Sequence, residues 1–262
     1  MTETADVCVP TYPDLAGKVA VVTGGSRGIG AATCRVLAAN RVNVAVVARS
    51  QEGIAAVVGG IHAAGGKATG ISADVTDFSS VQAMRRQVEE QLGPADILVA
   101  YAGGFGAYTP VQEISEEEWH AVIDSNLTAT FLTVKAFLPG MIERRGGAIV
   151  TMASNAARFL DITLTASYAA AKAGVAMFTR HVAKEVGPYG IRANCVAPGT
   201  ALSERVRRIM PQEKQHAVAA LSPLGRLGLP EDTALATLFL VSESASYLTG
   251  VTLDIAGGRI ML

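Results

Sequence analysis

The chain is expected to fold as one α/β domain: a parallel sheet of about seven strands, doubly wound, with helices on both faces. Three observations predict it. Short, continuously apolar β-branched runs alternate with helix-length amphipathic stretches from Lys18 onward, as strands buried on both faces require. No composition break, internal repeat or low-complexity linker divides the 262 residues, and half of them are apolar, enough for one large core. Gly and Ala are plentiful and aromatic residues make up only 5%, as suits helices lying close against a sheet.

The elements follow in order. Residues 1–14 carry prolines and turn formers without periodicity and are expected to form a flexible leader before a domain over 15–262. Val19–Thr23 reads as the first strand, followed by a Gly-rich turn and a helical stretch from Ile29 to Ala39. Asn43–Val47 is a strand, Gln51–Ala64 a helix, Ala68–Ala73 a strand, Ser79–Gln91 a helix and Asp96–Ala100 a strand. A helical region runs from Ser115 to about Arg144, then strand Ala148–Thr151, helix Ser167–Val186 and strand Ile191–Ala197. Helical signals return near Ser203 and over Pro230–Val241, before a last strand at Val251–Ile255. Right-handed crossovers then give the strand order 3-2-1-4-5-6-7.

Charge and cysteine usage exclude several function classes. A net charge of −1 leaves no electrostatic footprint for nucleic acid or an anionic membrane, and the basic stretch Arg205-Val-Arg207-Arg208 reads as a solvated helix face. Cys8, Cys34 and Cys195 share no ligand spacing, and His62, His120, His181 and His216 are dispersed, so no metal site is expected. No apolar run reaches membrane-spanning length and the N-terminus has no apolar segment, which predicts a cytoplasmic protein.

Chemistry gathers at two places. Thr23-Gly24-Gly25-Ser26-Arg27-Gly28-Ile29-Gly30 joins the first strand to a helix. A pyrophosphate needs bare backbone N–H groups at a helix N-terminus, and glycines let it approach. The second strand ends Val47-Ala48-Arg49-Ser50, without the carboxylate that would bind a ribose 2′-hydroxyl. Arg49 offers instead a planar fork of donors to a 2′-phosphate, with Arg27 as a second cation, so NADP(H) is the expected cofactor. The second place is Tyr168 and Lys172, one helical turn apart and on one face. A tyrosine can act as a proton donor, and a neighbouring ammonium is expected to lower its pKa. Asn126 sits in a helix interior, where its amide is a poor helix former.

With Gly-x3-Gly-x-Gly behind a threonine, Asp74, Asn126, Ser154, Tyr168-x3-Lys172, Asn194 through Pro198-Gly199 with Ser203, Thr249-Gly250 and Gly257-Gly258 in order, the sequence resembles the short-chain dehydrogenase/reductase family from Leu15 nearly to its end. The resemblance implies a Rossmann-type domain with 3-oxoacyl-carrier-protein reductases as similar members. It implies a cofactor site of Gly24, Ser26, Arg27, Gly28, Ile29, Gly30, Arg49, Ser50, Asp74, Val75, Ala102, Gly103, Tyr168, Lys172, Pro198, Gly199 and Ser203, in which Asp74 holds the adenine amino group. It also implies the catalytic set Asn126, Ser154, Tyr168 and Lys172: Ser154 orients the carbonyl, Lys172 bonds the nicotinamide ribose, and Asn126 holds a water linking Lys172 to solvent. Members generally form dimers or tetramers through the two long helices and the last strand.

The sequence departs from the family twice. Ala100-Tyr101-Ala102-Gly103 stands where Asn-Asn-Ala-Gly is usual, so a side-chain tie is lost and the turn is expected to be less rigid. Ser154 and Tyr168 lie 14 residues apart, one more than usual, implying an altered loop over the substrate. Phe105, Tyr108, Phe159, Leu160, Ile162 and Leu164, with Arg158 and Asp161, are the expected substrate surroundings, which suits a largely apolar ketone or its alcohol. A carrier-bound 3-oxoacyl group is the main alternative, with Arg144 and Arg145 as part of a docking surface, although Tyr189 stands where carrier-binding members often have a basic residue. A non-catalytic NADP(H)-binding sensor is the alternative of another class, and a purely structural subunit a third.

Overall fold

The computed structural model describes residues 8–159 and 164–261. Its sheet has seven strands: β1 Val19–Thr23, β2 Asn43–Ala48, β3 Lys67–Ser72, β4 Ile97–Ala100, β5 Gly147–Met152, β6 Ile191–Pro198 and β7 Thr252–Ile255. All pair in parallel in the order β3-β2-β1-β4-β5-β6-β7, with Val22 opposite both Val46 and Val99 at the centre. The expected fold class and strand order are those of the molecule.

Alternate residues of each strand serve opposite faces. Ala20, Val22, Val44, Val46, Val99 and Val150 pack against α1 (Gly28–Ala39), α2 (Gln51–Ala63) and α9 (Pro230–Val241). Val21, Val47, Leu98 and Ile149 face α3 (Phe78–Leu92), α5 (Ala129–Arg144) and α6 (Ala166–Val186). Burial on both faces is what made the strands read as unbroken apolar runs.

The helix expected over Ser115 to about Arg144 is interrupted. α4 (Glu116–Ile123) ends in a π-turn over Asp124–Thr128 before α5 begins. The cause is local: the Asn126 side-chain amide donates to the carbonyl of Val122, one helical turn back, at 2.9 Å, and the Ala129 N–H reaches instead to Asp124. A side chain inserted into the helical ladder produces a bulge of this kind.

Residues 10–14, expected within a loosely held leader, are anchored. The Tyr12 N–H donates to Asn40 Oδ1 (2.7 Å), Asn40 returns a bond to the Pro10 carbonyl (3.0 Å), and Asp14 accepts from the Glu243 N–H (2.9 Å). Leu160, Asp161 and Ile162, named for the substrate loop, lie outside the described residues, as do residues 1–7.

The short helices α7 (Glu204–Ile209) and α8 (Gln212–Ala220) follow β6 and lie along the carboxyl ends of the strands, where an open parallel sheet leaves its crevice.

Candidate active site

A cleft of about 1940 Å³ runs across the carboxyl ends of β1 to β6. At one end stands the turn from β1 into α1. Gly30 packs so closely on that turn that a Cβ there would lie 2.2 Å from the Gly24 carbonyl oxygen, so no larger residue fits without moving backbone. Gly24, Ser26, Arg27, Gly28, Ile29 and Gly30 all line the cleft, which leaves the first N–H groups of α1 facing it.

The ends of β2 and β3 bring Arg49, Ser50, Asp74 and Val75 to the same wall. Arg27 and Arg49 are exposed, and neither has a carboxylate within ion-pair distance among the described residues. Asp74 Oδ1 accepts from the backbone and hydroxyl of Thr76 at 2.9 and 2.7 Å. Those bonds, aided by the charge of Arg49, hold its carboxyl below the usual range. Ser50 also has a structural task, capping α2 by accepting from the Gly53 N–H at 3.2 Å.

At the other end, α6 carries Tyr168 and Lys172, both buried, against the end of β5. Thr165 caps this helix and so sets its start, three residues before the tyrosine. The Lys172 ammonium donates to the Met152 carbonyl at 2.8 Å and lies 5.7 Å from the Tyr168 ring centre. Burial pulls Lys172 down to about 8. Ser154 donates to Asn155 Oδ1 (3.1 Å) and accepts from the Ala156 N–H (3.2 Å), which fixes its hydroxyl beside Tyr168.

Burial raises the Tyr168 pKa, while the Ser154 hydroxyl and the charge of Arg205 pull it back. Lys172, expected to lower this value, is not among the groups that pull it down. The ammonium is spent on Met152, and desolvation of the phenol prevails.

This arrangement of a glycine turn and a buried Tyr-x3-Lys pair in one crevice agrees with sequence comparison. The family model described as short chain dehydrogenase matches residues 18–214. The chain belongs to the short-chain dehydrogenase/reductase family. It is 38% identical to a 3-oxoacyl-[acyl-carrier-protein] reductase of Vibrio cholerae over 249 residues, covering 95% of this chain and all of that protein. It is equally identical, at 38% over 252 residues, to the 3beta-hydroxysteroid dehydrogenase 1 of Eggerthella lenta, covering 95% of this chain and 96% of the relative. Among solved structures, a 3-oxoacyl-[acyl-carrier protein] reductase of Brucella melitensis superposes with a TM-score of 0.92 at 32% identity, covering 100% and 98% of the two chains. A reductase from the same organism with bound NAD superposes with a TM-score of 0.88 at 33% identity, covering 96% and 94%. The protein is thus a dehydrogenase/reductase of oxidoreductase lineage with a nicotinamide-binding fold.

Several residues of this dehydrogenase lie where sequence reading did not place them. The turn after β4 is tied down despite its missing asparagine. Thr23 Oγ1 accepts from the N–H groups of Tyr101 (3.1 Å) and Ala102 (3.2 Å), and the buried Tyr101 hydroxyl bonds to Thr237 on α9. Thr237 itself donates to the Thr233 carbonyl, so Tyr101 is the donor. The expected loss of rigidity is therefore made good by a bond across 136 residues of sequence, invisible to any local pattern.

Asn126 is fully buried and its side chain clamps the segment that follows. Oδ1 accepts from the Gly104 N–H (3.1 Å), and Nδ2 donates to the Gly104 carbonyl (3.0 Å). Gly103, with φ +143°, would place a Cβ 2.5 Å from Asn126 Oδ1, so the clamp requires glycine there. The poor helix propensity of Asn126 was the signal that it serves something other than its helix.

Pro198 ends β6 and Gly199 is held to β7 by the Ile255 carbonyl at 3.0 Å. Ser203 caps α7 and faces Gly28 across the cleft. Asn194 lies inside β6, bonding to Leu248 and Val251, and so fixes the Thr249-Gly250 turn and not the cleft loop directly.

The basic stretch after Ser203 is not merely a solvated face. Arg205 is half-buried: it donates to the Phe105 carbonyl at 2.8 Å and lies 4.8 Å over the Phe105 ring. Phe105 in turn meets Tyr168 edge-on at 6.0 Å. Arg207 and Arg208 are exposed. No sequence signal distinguishes Arg205 from its neighbours; contact with a segment 100 residues earlier does. Leu164 lines the cleft, whereas Tyr108 is exposed and absent from its walls. Arg158 pairs with Asp254 on β7 at 2.9 Å, outside the cleft.

Proposed function

We propose that this protein is an NADP(H)-dependent oxidoreductase that interconverts a ketone and its alcohol on a largely apolar small molecule. The observation that supports it most is the common cleft: Ser154, Tyr168 and Lys172 share it with the glycine turn and with Arg27 and Arg49.

The residues present fit a phosphorylated dinucleotide. The α1 N-terminus takes the pyrophosphate, with Gly24, Ser26, Gly28, Ile29 and Gly30 providing bare backbone or small side chains. Arg27, Arg49 and Ser50 take a 2′-phosphate, and two exposed arginines without ion-pair partners suit that charge. Asp74 and Val75 border the adenine, and Ala102, Gly103, Pro198, Gly199 and Ser203 border the nicotinamide. NADPH supplies the hydride when bound. Tyr168 Oη donates the proton to the carbonyl oxygen, and burial suits it to remain an acid at neutral pH. Ser154 orients that carbonyl. Lys172 would bond the nicotinamide ribose and stabilise the tyrosinate left behind, and Asn126, which holds the Gly104 segment, would hold the water that links Lys172 to solvent.

The test is NADPH against NADH oxidation over a panel of ketones and aldehydes. Turnover that favours NADPH supports the reading; equal affinity for both cofactors refutes the phosphate assignment, and tight binding without any turnover favours a sensor.

A carrier-bound 3-oxoacyl substrate is the second reading, favoured by relatives such as the Vibrio cholerae reductase. The arginines that would dock an acidic carrier are exposed, each with one donor held by a backbone carbonyl. Arg144 donates to the Ala95 carbonyl (2.7 Å), and Arg145 donates to that of Pro188 (2.9 Å) and lies 5.9 Å over Tyr189. Comparing kcat/KM for free and carrier-bound forms at matched acyl length decides between them.

We further infer a cytoplasmic homo-oligomer, a dimer or tetramer. Among the described residues no helix is long and apolar enough to cross a membrane, and no group of three or more His, Cys, Asp or Glu gathers as for a metal. Trp119 on α4, Phe131 on α5 and Met177 on α6 are exposed apolar residues that a symmetric partner would cover. A monomeric sedimentation profile at micromolar concentration contradicts it.

A further inference from the structure

We propose that Arg205 recognises a carboxylate on the substrate, so that preferred substrates are oxo-carboxylates whose chain is apolar and whose far end is anionic. This rests on the carbonyl-reductase reading of the cleft and specifies its substrate class.

Arg205 is held rigidly. Its guanidinium spends one N–H on the Phe105 carbonyl at 2.8 Å and stacks 4.8 Å from the Phe105 ring centre, while Nη1 lies 3.6 Å from where a side chain on Gly104 would begin. An arginine has five N–H donors, so most of its fork is left over. Among the described residues no carboxylate lies within ion-pair distance of it, although it is half-buried and lines the cleft. A partly desolvated cation without a counter-ion costs free energy, and a bidentate carboxylate relieves that cost with matched geometry.

Its place in the cleft selects the substrate over the cofactor. Arg205 touches Phe105 and Gly104, and Phe105 stands edge-on to Tyr168, so the fork lies one aromatic ring from the proton donor. Its charge reaches that donor, since it pulls down the Tyr168 pKa. The glycine turn that takes the pyrophosphate is faced instead by Ser203. Val122, Met152, Leu164 and Val218 are apolar residues of the same cleft, available to the rest of the molecule. Arg207, Arg208 and Lys214 also line the cleft and bias it toward anions.

The experiment measures NADPH-dependent kcat/KM for straight-chain oxo-carboxylates of increasing length, ketone at the penultimate carbon, beside their methyl esters. It uses the wild-type protein, Arg205→Met and Arg205→Lys, with NADPH affinity measured for each. The proposal expects the wild type to prefer an acid over its ester by about tenfold or more at the best chain length. Arg205→Met is expected to remove that preference through the KM of the acids, with any effect exerted through Tyr168 shared by acid and ester and NADPH affinity near wild type, and Arg205→Lys to restore part of it. Equal use of acid and ester by the wild type overturns the proposal. So does an Arg205→Met loss equal for both forms, which makes Arg205 only a latch for Phe105, or a loss of NADPH affinity, which assigns it to cofactor phosphate. If Arg205→Met does not fold, the acid-to-ester ratios of wild type and Arg205→Lys decide. Turnover of esters alone refutes this inference but spares the carbonyl-reductase reading; no turnover of any carbonyl refutes both.

Discussion

At the ends of β1, β2 and β3 the cleft is walled by backbone and by exposed arginines, whereas at the ends of β4, β5 and β6 it is walled by buried polar side chains whose protonation is displaced. The first region depends on close approach: a Cβ at Gly30 would sit 2.2 Å from the Gly24 carbonyl. The second depends on burial: Tyr168 is pushed up, and Lys172 falls to about 8. The difference teaches that a dinucleotide can be held by shape and long-range charge in water, while a proton donor of controlled strength needs a dry, crowded setting. Substitutions at the first end should therefore alter binding, and those at the second should alter chemistry.

Lys172→Ala should have the largest effect because this residue is proposed to serve both the cofactor and the proton donor. Removing its ammonium is expected to lower kcat by about a thousandfold, in the range of general acid–base effects, and to weaken NADPH as well. Steady-state kinetics with direct cofactor titration checks it, and a loss confined to one parameter breaks the link between the two ends. Gly30→Ala comes next. Relief of the backbone clash costs about 1–3 kcal/mol of stability and NADPH affinity with it, read from denaturant unfolding and titration. Kinetics at saturating NADPH should stay near wild type, since the tyrosine is untouched.

Arg49→Asp sharpens the cofactor half alone. Replacing a charge-assisted bond by a repelling carboxylate should weaken NADPH about tenfold to a hundredfold and spare or improve NADH. The pH dependence of stability probes the other half. The folded chain holds Lys172 near 8 and the unfolded chain near 10.5, so between these values the unfolded state binds the proton the folded state has lost. Stability of the cofactor-free protein is thus expected to rise across that window, by about 3 kcal/mol at most from this group. Lys172→Met should flatten the rise. Tyr101→Phe should have the smallest effect, a loss of about 1 kcal/mol for its bond to Thr237, with cofactor affinity nearly unchanged.

The two regions also differ in how much of them could be read from sequence. The glycine turn, Arg49 and the Tyr-x3-Lys pair occupy short stretches whose spacing carries their geometry, and β1 and α9 have the bounds that periodicity predicts. Residues whose role arises from distant contacts were not legible. Asn126 clamps the Gly104 segment, the turn after β4 is secured by Tyr101 reaching Thr237, and Arg205 leaves its basic neighbours to stack on Phe105. In each case a pattern of residue types was visible, but the partner that decides its meaning lies in another element.

The central claim is that binding and proton transfer are separable along this cleft, and Tyr168→Phe tests it most directly. The variant removes one oxygen and keeps the ring against Phe105, so NADPH affinity should remain within about twofold while single-turnover reduction of a ketone at saturating NADPH falls by about a hundredfold or more. Near-normal turnover in Tyr168→Phe, or a loss of NADPH affinity as large as the loss of rate, would contradict the account.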